Sequence, residues 1–365
     1  MRIPSGMRGI VSALRRGGRI GLVVALMCAL ARAGSAASAP RIENAGPVTI
    51  ERLDPRFDAL VPPGTRAEVV ATGFTWAEGP VWDARAGALL VSDVPNNVIR
   101  RWTPDGGLTV WLERSGYTGT APFTGREPGS NGLAFDAEGR LILCQHGDRR
   151  VVRREADGTF TVLADRYDGR RLNSPNDVVV RPDGSTWFTD PPFGLPGTFN
   201  DPARELSFQG VYRLGADGLL TAVVTDLAAP NGLGFSPDGR TLYVSNAVPD
   251  RPGWMAYPVK DDGTVGAGRV FAMPARTGKP LPGSCDGLKV DAAGNVWATA
   301  PGGVHVFAPD GTCLGRIVTG GRTGNVAFGG NGSDLYIAAN QRVLRVPTST
   351  LGVSGGTPRD TQIGE

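Results

Sequence analysis

One short element recurs six times along this chain of 365 residues and restricts its fold more than any other feature. Each copy is an apolar run, a tight turn containing Gly, and a second apolar run, as in LAFDAEGRLILCQ (133–145) and LGFSPDGRTLYVSN (233–246). The turn glycines are Gly87, Gly139, Gly184, Gly239, Gly294 and Gly332, with separations of 52, 45, 55, 55 and 38 residues. Periods of about 40–50 residues are typical of propeller blades.

A second series of Gly turns lies between the first. It reads TPDG (103–106), EADG (155–158), GADG (215–218), KDDG (260–263) and APDG (308–311). Asp-Gly between β-rich runs is a hairpin signal, so each repeat contains two hairpins and forms a four-stranded blade. We predict an all-β, six-bladed β-propeller over residues 40–350, in which residues 40–75 and 341–347 share the closing blade. A β-helix would need much shorter repeats, and a β-sandwich would need fewer strands.

Residues 1–39 have the order of a secretory signal peptide. Several arginines precede the apolar run Ile20–Leu30, and small residues follow it, with cleavage expected between Ala33 and Ala39. The run of 11 residues is too short to span a bilayer as a helix. We therefore expect a periplasmic or secreted protein; an uncleaved anchor is the alternative, and the Sec and twin-arginine routes both stay open.

The remaining composition narrows the class of protein. The net charge of +3 comes with no basic stripe, so nucleic acid is not an expected partner, and no other segment is apolar enough to span a membrane. After signal removal Cys144, Cys285 and Cys313 remain without a CxxC motif, which favours free thiols, although one disulfide stays open. The polar, Gly-rich tail 351–365 is predicted to be disordered, and the protein is expected to be a monomer or a dimer.

A short polar signature precedes the first strand of every repeat. The signatures are WAEGP (76–80), GSNGL (129–133), NSPNDV (173–178), APNGL (229–233), SCDGL (284–288) and TGNVAF (323–328). Their polar residues share one phase relative to the strand and are Glu78, Asn131, Asn176, Asn231, Asp286 and Asn325. Because a propeller brings equivalent positions together around its axis, these side chains should surround the mouth of the channel.

Carboxylate and amide oxygens are hard ligands. They suit one divalent cation, Ca²⁺ first because it tolerates irregular geometry, with Mg²⁺, Mn²⁺ or Zn²⁺ as alternatives. The competing interpretation is that Asn-Gly and Asp-Gly serve only as turn residues here. Matched phase in several repeats favours the cation site.

The motifs WAEGPVWD, NSPNDVVVRPDGSTWFTDPPFG, APNGLGFSPDGRTLYVS and SCDGLKVDAAGNVWA resemble the senescence-marker-protein-30/gluconolactonase family, in its bacterial gluconolactonase-like branch. The resemblance runs from about Phe74 to Tyr336. It implies a six-bladed propeller with one catalytic divalent cation. The implied metal ligands are Glu78, Asn176, Asn231 and Asp286.

The resemblance also implies a lactonase that acts on a small-molecule sugar lactone such as gluconolactone. In that reaction Asp286 is the candidate general base toward water, or alternatively the nucleophile. The chain contains no HExxH or P-loop motif, and its GxSxG match, GVSGG (352–356), lies in the polar, Gly-rich tail and not at a strand-to-helix turn, so a hydrolase of this kind has to work through the metal. A phosphotriesterase on the same metal and a non-catalytic, Ca²⁺-stabilised binding propeller are the alternatives.

The substrate contacts are predicted from position. Asn131 and Asn325 are expected to face the substrate, and His146 could donate to it or shuttle a proton, or else be a structural histidine. Ser174 is also predicted to contact the substrate; it stands where the animal branch of the family carries an arginine used on sugar acids, and Arg170 or Arg171 could reach in to replace that arginine. Trp76 and Phe193 lie beside the signatures and could line the pocket.

Overall fold

The computed structural model describes residues 48–248, 251–274 and 281–353. Those residues form a six-bladed β-propeller, as predicted, with almost no helix. The helical elements are α1 (Phe57–Leu60) and two 3₁₀ turns, Val94–Asn96 and Thr198–Asn200. None of the helices in the described parts of the chain is long and apolar enough to cross a membrane.

Each blade runs from an innermost strand at the channel to an outermost strand at the rim. Blade 1 contains β3 (Ala77–Asp83), β4 (Ala88–Asp93), β5 (Val98–Thr103) and β6 (Gly107–Glu113). Blade 2 contains β7 (Ser130–Phe135), β8 (Leu141–Gln145), β9 (Arg150–Arg154) and β10 (Phe160–Ala164). Blade 3 contains β13 (Val178–Val180), β14 (Thr186–Asp190), β15 (Gly210–Leu214) and β16 (Leu220–Val224). A small hairpin joins blades 2 and 3 and consists of β11 (Arg166–Tyr167) and β12 (Arg170–Arg171).

Blades 4 and 5 follow in the same direction. Their strands are β17 (Pro230–Phe235), β18 (Thr241–Asn246), β19 (Gly253–Pro258) and β20 (Arg269–Ala272); β21 (Leu288–Val290), β22 (Val296–Ala300), β23 (Gly303–Phe307) and β24 (Cys313–Val318). Blade 6 contains β25 (Asn325–Gly329), β26 (Asp334–Ala339), β27 (Arg342–Pro347) and, from the start of the chain, β2 (Glu68–Thr72).

The turn between the first two strands of a blade shows why the repeat carries Asp and Gly. In blade 2, Gly139 has φ 77° and donates its N–H to the Asp136 carbonyl at 2.9 Å. The Asp136 carboxylate accepts the Arg140 N–H at 2.8 Å. Glycine takes the left-handed conformation without a steric penalty, and the Asp side chain satisfies the backbone donor beyond it.

Aromatic side chains fill the spaces between blades. Trp82 of blade 1 stacks on Tyr336 of blade 6, with ring centroids 5.5 Å apart and planes 8° apart. Trp187 of blade 3 meets Phe235 of blade 4 edge-on at 5.0 Å. Since each blade buries its faces only on its neighbours, these contacts set the angle between blades and thus the diameter of the channel.

The closing blade confirms part of the prediction and corrects another part. Strand β2 pairs with β27, so the two ends of the propeller share one sheet, as expected. The earlier strand β1 (Thr49–Arg52) does not join that sheet; it adds a fifth strand to blade 5, beside β24. Between them, Phe57 is fully buried in the core shared by blades 5 and 6, which holds the connection across the two blades.

Two other predicted segments lie outside the described residues: the signal peptide 1–39 and residues 354–365 of the tail. The start of the tail is described, and Gly352 donates its N–H to the Gly332 carbonyl at 3.0 Å. Cys144, Cys285 and Cys313 are free thiols, the first two buried.

Candidate active site at the mouth of the central channel

A cavity of about 660 Å³ opens at one end of the channel. This volume is in the range of small-molecule sites. Five of the six predicted signature side chains line it together: Glu78, Asn131, Asn176, Asn231 and Asp286. The glutamate and the three asparagines are no more than 4 % exposed.

Backbone hydrogen bonds between neighbouring blades hold these residues at one level. Gly132 donates its N–H to the Asn176 carbonyl of the next blade at 2.7 Å, and Gly232 does the same to Asp286 at 3.3 Å. The glycine that follows a signature residue therefore links that residue to the signature residue of the next blade. We call this circle of side chains the ring: Glu78, Asn131, Asn176, Asn231 and Asp286. A Cβ on Gly132 or Gly232 would lie within 2.6 Å of the next blade's backbone, so the Asn-Gly pairs have a packing reason as well as a turn reason.

The same hydrogen bond corrects the phase assigned to Asn325. Gly287 donates its N–H to the carbonyl of Gly324, not of Asn325, at 2.7 Å. In blade 6 the ring position is thus occupied by Gly324, and Asn325 lies one residue deeper. Asn325 is not among the cavity-lining residues, although it is buried in the channel.

Gly324 leaves room for the only long side chain of the ring. A Cβ built on Gly324 would lie 2.2 Å from Glu78 Oε1, far inside contact distance. The other Glu78 oxygen, Oε2, accepts the Gly79 N–H at 3.0 Å. The missing side chain of blade 6 and the extra methylene of Glu78 are therefore complementary.

Three hydroxyl groups, which the sequence reasoning missed, support the ring from behind. Ser92 Oγ donates to the Asn131 carbonyl at 2.8 Å and Thr189 Oγ1 to the Asn231 carbonyl at 2.7 Å. Thr299 Oγ1 donates to the Gly324 carbonyl at 2.9 Å. Each comes from the second strand of the preceding blade, so Ser or Thr near the end of that strand (VSD, FTD, ATA) was the available signal.

Both carboxyl groups of the ring, on Glu78 and Asp286, have raised pKa values. Burial, together with the nearby Asp177 and Glu127 carboxylates, raises the pKa of Glu78 from 4.5 to about 8. Although Asp286 as a residue is only half-buried, its carboxylate lies deep enough that burial raises its pKa well above the usual value, and the charge of Glu78 adds to the effect. A positive charge between them would favour the ionised form of both.

The amide oxygens of the ring point to the same ligand. Oδ1 of Asn131 and Oδ1 of Asn231 are buried and have no hydrogen-bond partner in the described part of the protein. Buried polar atoms are rarely left unpaired, so these oxygens call for an added ligand. Two carboxylates with several amide oxygens fit a hard divalent cation; no group of three His, Cys, Asp or Glu side chains suited to a metal occurs among the described residues.

His146 lies beneath the cavity and is fully buried. Its Nδ1 is 3.0 Å from Glu127 Oε2, a close contact that lacks hydrogen-bond geometry. Its Nε2 is 3.4 Å from Asn176 Nδ2. His146 therefore lies between a ring asparagine and Glu127, which itself lines the cavity and was not foreseen.

Ser174, like His146 and Asn325, is not among the cavity-lining residues, so Asn131 alone of the four predicted substrate contacts lines the cavity. Ser174 is fully buried, and its hydroxyl donates to the Pro191 carbonyl at 2.6 Å while accepting the Gly194 N–H at 2.9 Å. Both bonds hold the loop TDPPFG, whose Phe193 does line the cavity. The side chain faces this loop and is absent from the cavity wall.

A second polar layer lies below the ring. Asn325 Nδ2 donates to Asp177 Oδ2 at 3.3 Å, and Lys289 Nζ lies 3.4 Å from Asn325 Oδ1 and 3.8 Å from Asp177 Oδ2. Lys289 also lines a separate cavity of about 370 Å³ with innermost-strand residues such as Leu133 and Val179. In this layer, below the ring, the positive charge of Lys289 offsets the negative charge of Asp177.

The walls of the cavity have distinct chemistry. Trp76 and Phe193, which the sequence left open, both line it, with Leu195 beside them. Two arginines that sequence reasoning did not single out, Arg126 and Arg322, also line it. Arg126 lies three residues before the signature GSNGL and Arg322 directly before TGNVAF, so they occupy no matched position and the repeat pattern did not reveal them.

Comparison with known proteins decides the family. The family model described as SMP-30/Gluconolactonase/LRE-like region matches residues 76–341. The chain belongs to this family. The gluconolactonase of Zymomonas mobilis is 38 % identical over 327 residues, covering 87 % of this chain and 92 % of that one. The pentonolactonase XacC of Haloferax volcanii is 31 % identical over 278 residues, 75 % of this chain and 84 % of that one.

A solved structure agrees. The gluconolactonase of Xanthomonas campestris is 34 % identical, covers 84 % of this chain and 99 % of that one, and has a TM-score of 0.71. The predicted family and the predicted enzyme class are confirmed: this is a lactone-hydrolysing enzyme of the SMP-30/gluconolactonase family.

Proposed function

We propose that this enzyme opens a sugar lactone in a cation-dependent hydrolysis in which Asp286 is the general base. The observation that carries the proposal is the ring itself. Two carboxylates with raised pKa values share one cavity with two unpartnered amide oxygens, Asn131 Oδ1 and Asn231 Oδ1. The relatives named as sugar lactonases support the substrate class.

Glu78, Asn176, Asn231 and Asp286 would hold the cation, for which Ca²⁺ is the first choice. When bound, the cation would polarise the lactone carbonyl and offset the negative charge that develops on its oxygen. It would also neutralise the two carboxylates, so that both are ionised at neutral pH.

The side chains of the protein would supply the proton transfer and the contacts with the substrate. Asp286, once ionised, can take a proton from the water that attacks the lactone carbonyl carbon. It can then give this proton to the ester oxygen of the lactone as the ester bond breaks. Glu78 is held by the Gly79 N–H and by the space over Gly324, so it is suited to ligation alone. Asn131 lines the cavity and can orient the substrate hydroxyls, whereas the buried His146 can hold the side chain of Asn176 in place.

The walls suit a sugar. Trp76 and Phe193 offer apolar faces for the C–H face of a pyranose ring, while the ring asparagines offer donors and acceptors to its hydroxyl groups. Ser174 contributes by fixing the loop that carries Phe193.

The test is a pH-stat assay with gluconolactone and pentonolactones, with and without a chelator, on wild type and Asp286→Asn. Asp105→Asn is the matched control, because Asp105 is exposed in a blade 1 turn. We expect the chelator to abolish hydrolysis and Asp286→Asn to lower kcat by roughly a hundredfold or more, whereas Asp105→Asn keeps wild-type rates.

Three outcomes would contradict the proposal. Full activity of Asp286→Asn would remove the assigned base. Chelator-induced unfolding of a protein that hydrolyses no lactone would favour a cation with a structural role only. Turnover of phosphotriesters with no turnover of lactones would place a different ester at the same ring.

A further inference from the structure

We propose that Arg126 and Arg322 form an anion subsite, so that the preferred substrate is a lactone bearing a second, negatively charged group, such as the lactone of an aldaric acid. This inference rests on the proposed lactone hydrolysis and adds the substrate class. It concerns the part of the cavity wall away from the signature residues.

The first support is placement. Arg126 lies on the loop before β7 of blade 2, and Arg322 on the loop before β25 of blade 6. Strand β3 of blade 1, which carries Glu78, packs between β7 and β25. The two arginines therefore come from the blades on either side of the blade that carries Glu78, whereas the apolar wall with Phe193 and Leu195 comes from blade 3.

The second support is that both arginines are free to take a ligand. Neither makes an ion pair or a side-chain hydrogen bond in the described residues, and both are exposed to the cavity and solvent. Arg100 and Arg149, by contrast, are engaged: Arg100 pairs with Asp93 at 2.9 Å, and Arg149 donates to the Leu172 carbonyl at 2.8 Å. Binding an anion at the subsite would break no existing ion pair.

The third support is the charge of the cavity. Its lining contains three carboxylates, Glu78, Glu127 and Asp286, and two guanidinium groups. With a divalent cation on the ring the formal sum is one positive charge, since the cation offsets Glu78 and Asp286 and the two arginines exceed Glu127 by one. A lactone with one carboxylate would make the complex neutral, whereas a neutral lactone would leave a net charge in a partly enclosed site.

Arginine is suited to this task because its planar fork binds a carboxylate through two parallel N–H···O bonds. A substrate seated with its carbonyl at the ring and its sugar face on Trp76 has its far end directed to the rim.

The experiment compares kcat/KM for glucarolactone, which carries a free carboxylate, with that for gluconolactone, which does not. The variants are Arg126→Gln, Arg322→Gln and the double variant, with Arg101→Gln as the control because Arg101 is exposed on β5 and is not part of the cavity wall. We expect wild type to prefer glucarolactone. Each cavity substitution should lower kcat/KM for glucarolactone by roughly tenfold and for gluconolactone by less than about twofold.

Salt and a second probe sharpen the test. About 0.5 M NaCl should reduce the preference in wild type and leave the double variant unchanged, because exposed charges are screened. Phosphogluconolactone as a parallel substrate shows whether the subsite accepts phosphate as well as carboxylate; either preference over gluconolactone supports the subsite.

The proposal is overturned if wild type hydrolyses gluconolactone at least as well as both anionic lactones, or if the arginine variants lose activity on all lactones equally. Hydrolysis of no lactone would instead defeat the proposed function. In that case calorimetry with the open-chain acids still decides the subsite: glucarate should bind Ca²⁺-loaded wild type more tightly than gluconate, and equal binding would refute the inference.

Discussion

The raised pKa of Glu78 makes a quantitative prediction about the cation-free protein. The pKa is 4.5 in the unfolded chain and about 8 in the folded one, so the folded state binds more protons and stability falls as pH rises between these values. Each unit corresponds to about 1.4 kcal/mol, so from about pH 6 to pH 9 the free energy of unfolding should fall by about 3 kcal/mol. Asp286 adds in the same direction.

The measurement is thermal unfolding in chelator at about pH 6 and pH 9, and again in saturating Ca²⁺. For a chain of this size about 3 kcal/mol corresponds to a fall in Tm of about 5 °C. The Ca²⁺-loaded protein should not show this fall, because the cation keeps both carboxylates ionised at either pH. Calcium should therefore stabilise the protein more at the higher pH.

Glu78→Gln supplies the control, since it keeps the shape of the side chain but cannot titrate. Its cation-free Tm should fall less between the two pH values than that of wild type. A cation-free wild type with the same Tm at both pH values would refute the electrostatic reasoning, and so would an equal fall in Glu78→Gln.

Three further perturbations test individual contacts. Gly324→Ala places a Cβ against Glu78 Oε1 and should weaken Ca²⁺ binding, measured by calorimetry, at least tenfold. Gly321→Ala in the same loop is the control, because its Cβ meets open space and the variant should bind Ca²⁺ like wild type. Equal affinities of the two variants would contradict the ring position assigned to Gly324. Ser174→Ala removes two hydrogen bonds to the Phe193 loop, so KM should rise while Ca²⁺ affinity is unchanged; an unchanged KM would show that the loop does not need this support. Burial lowers the pKa of His305 to about 4, so its imidazole NMR signals should stay in the neutral form down to about pH 5, and titration near pH 6.5 would contradict the buried placement.

The sequence predicted the blades well because each hairpin turn carries its own local signal. A Gly at a turn such as Gly139 is required by backbone conformation, and this requirement does not depend on the rest of the fold. The phase of the ring was predictable wherever Gly or Asp follows the signature residue. In TGNVAF the order is reversed, and only the hydrogen bond from Gly287 to Gly324 shows which residue is level with the ring.

Other parts of the site depend on tertiary contacts that no local pattern expresses. Arg126 and Arg322 lie almost two hundred residues apart, at unmatched positions before their signatures, and they line one cavity because the innermost strands of their blades pack on either side of blade 1. Likewise, β1 (TIER) has a single apolar residue and no pattern that selects a partner, and its pairing with blade 5 accompanies the burial of Phe57 in the core between blades 5 and 6.

The closing blade also sets the order in which the site can be assembled. Residues 68–72 and 342–347 lie at opposite ends of the propeller sequence, so their pairing closes a very large loop and is entropically the most demanding contact of the fold. The proposed cation-binding ring has a fixed diameter only after that contact forms. A chain shortened before residue 342 lacks β27, the strand through which β2 joins the rest of blade 6. We therefore expect cation binding to be the last event of folding, so that binding shows when β2 has paired with β27.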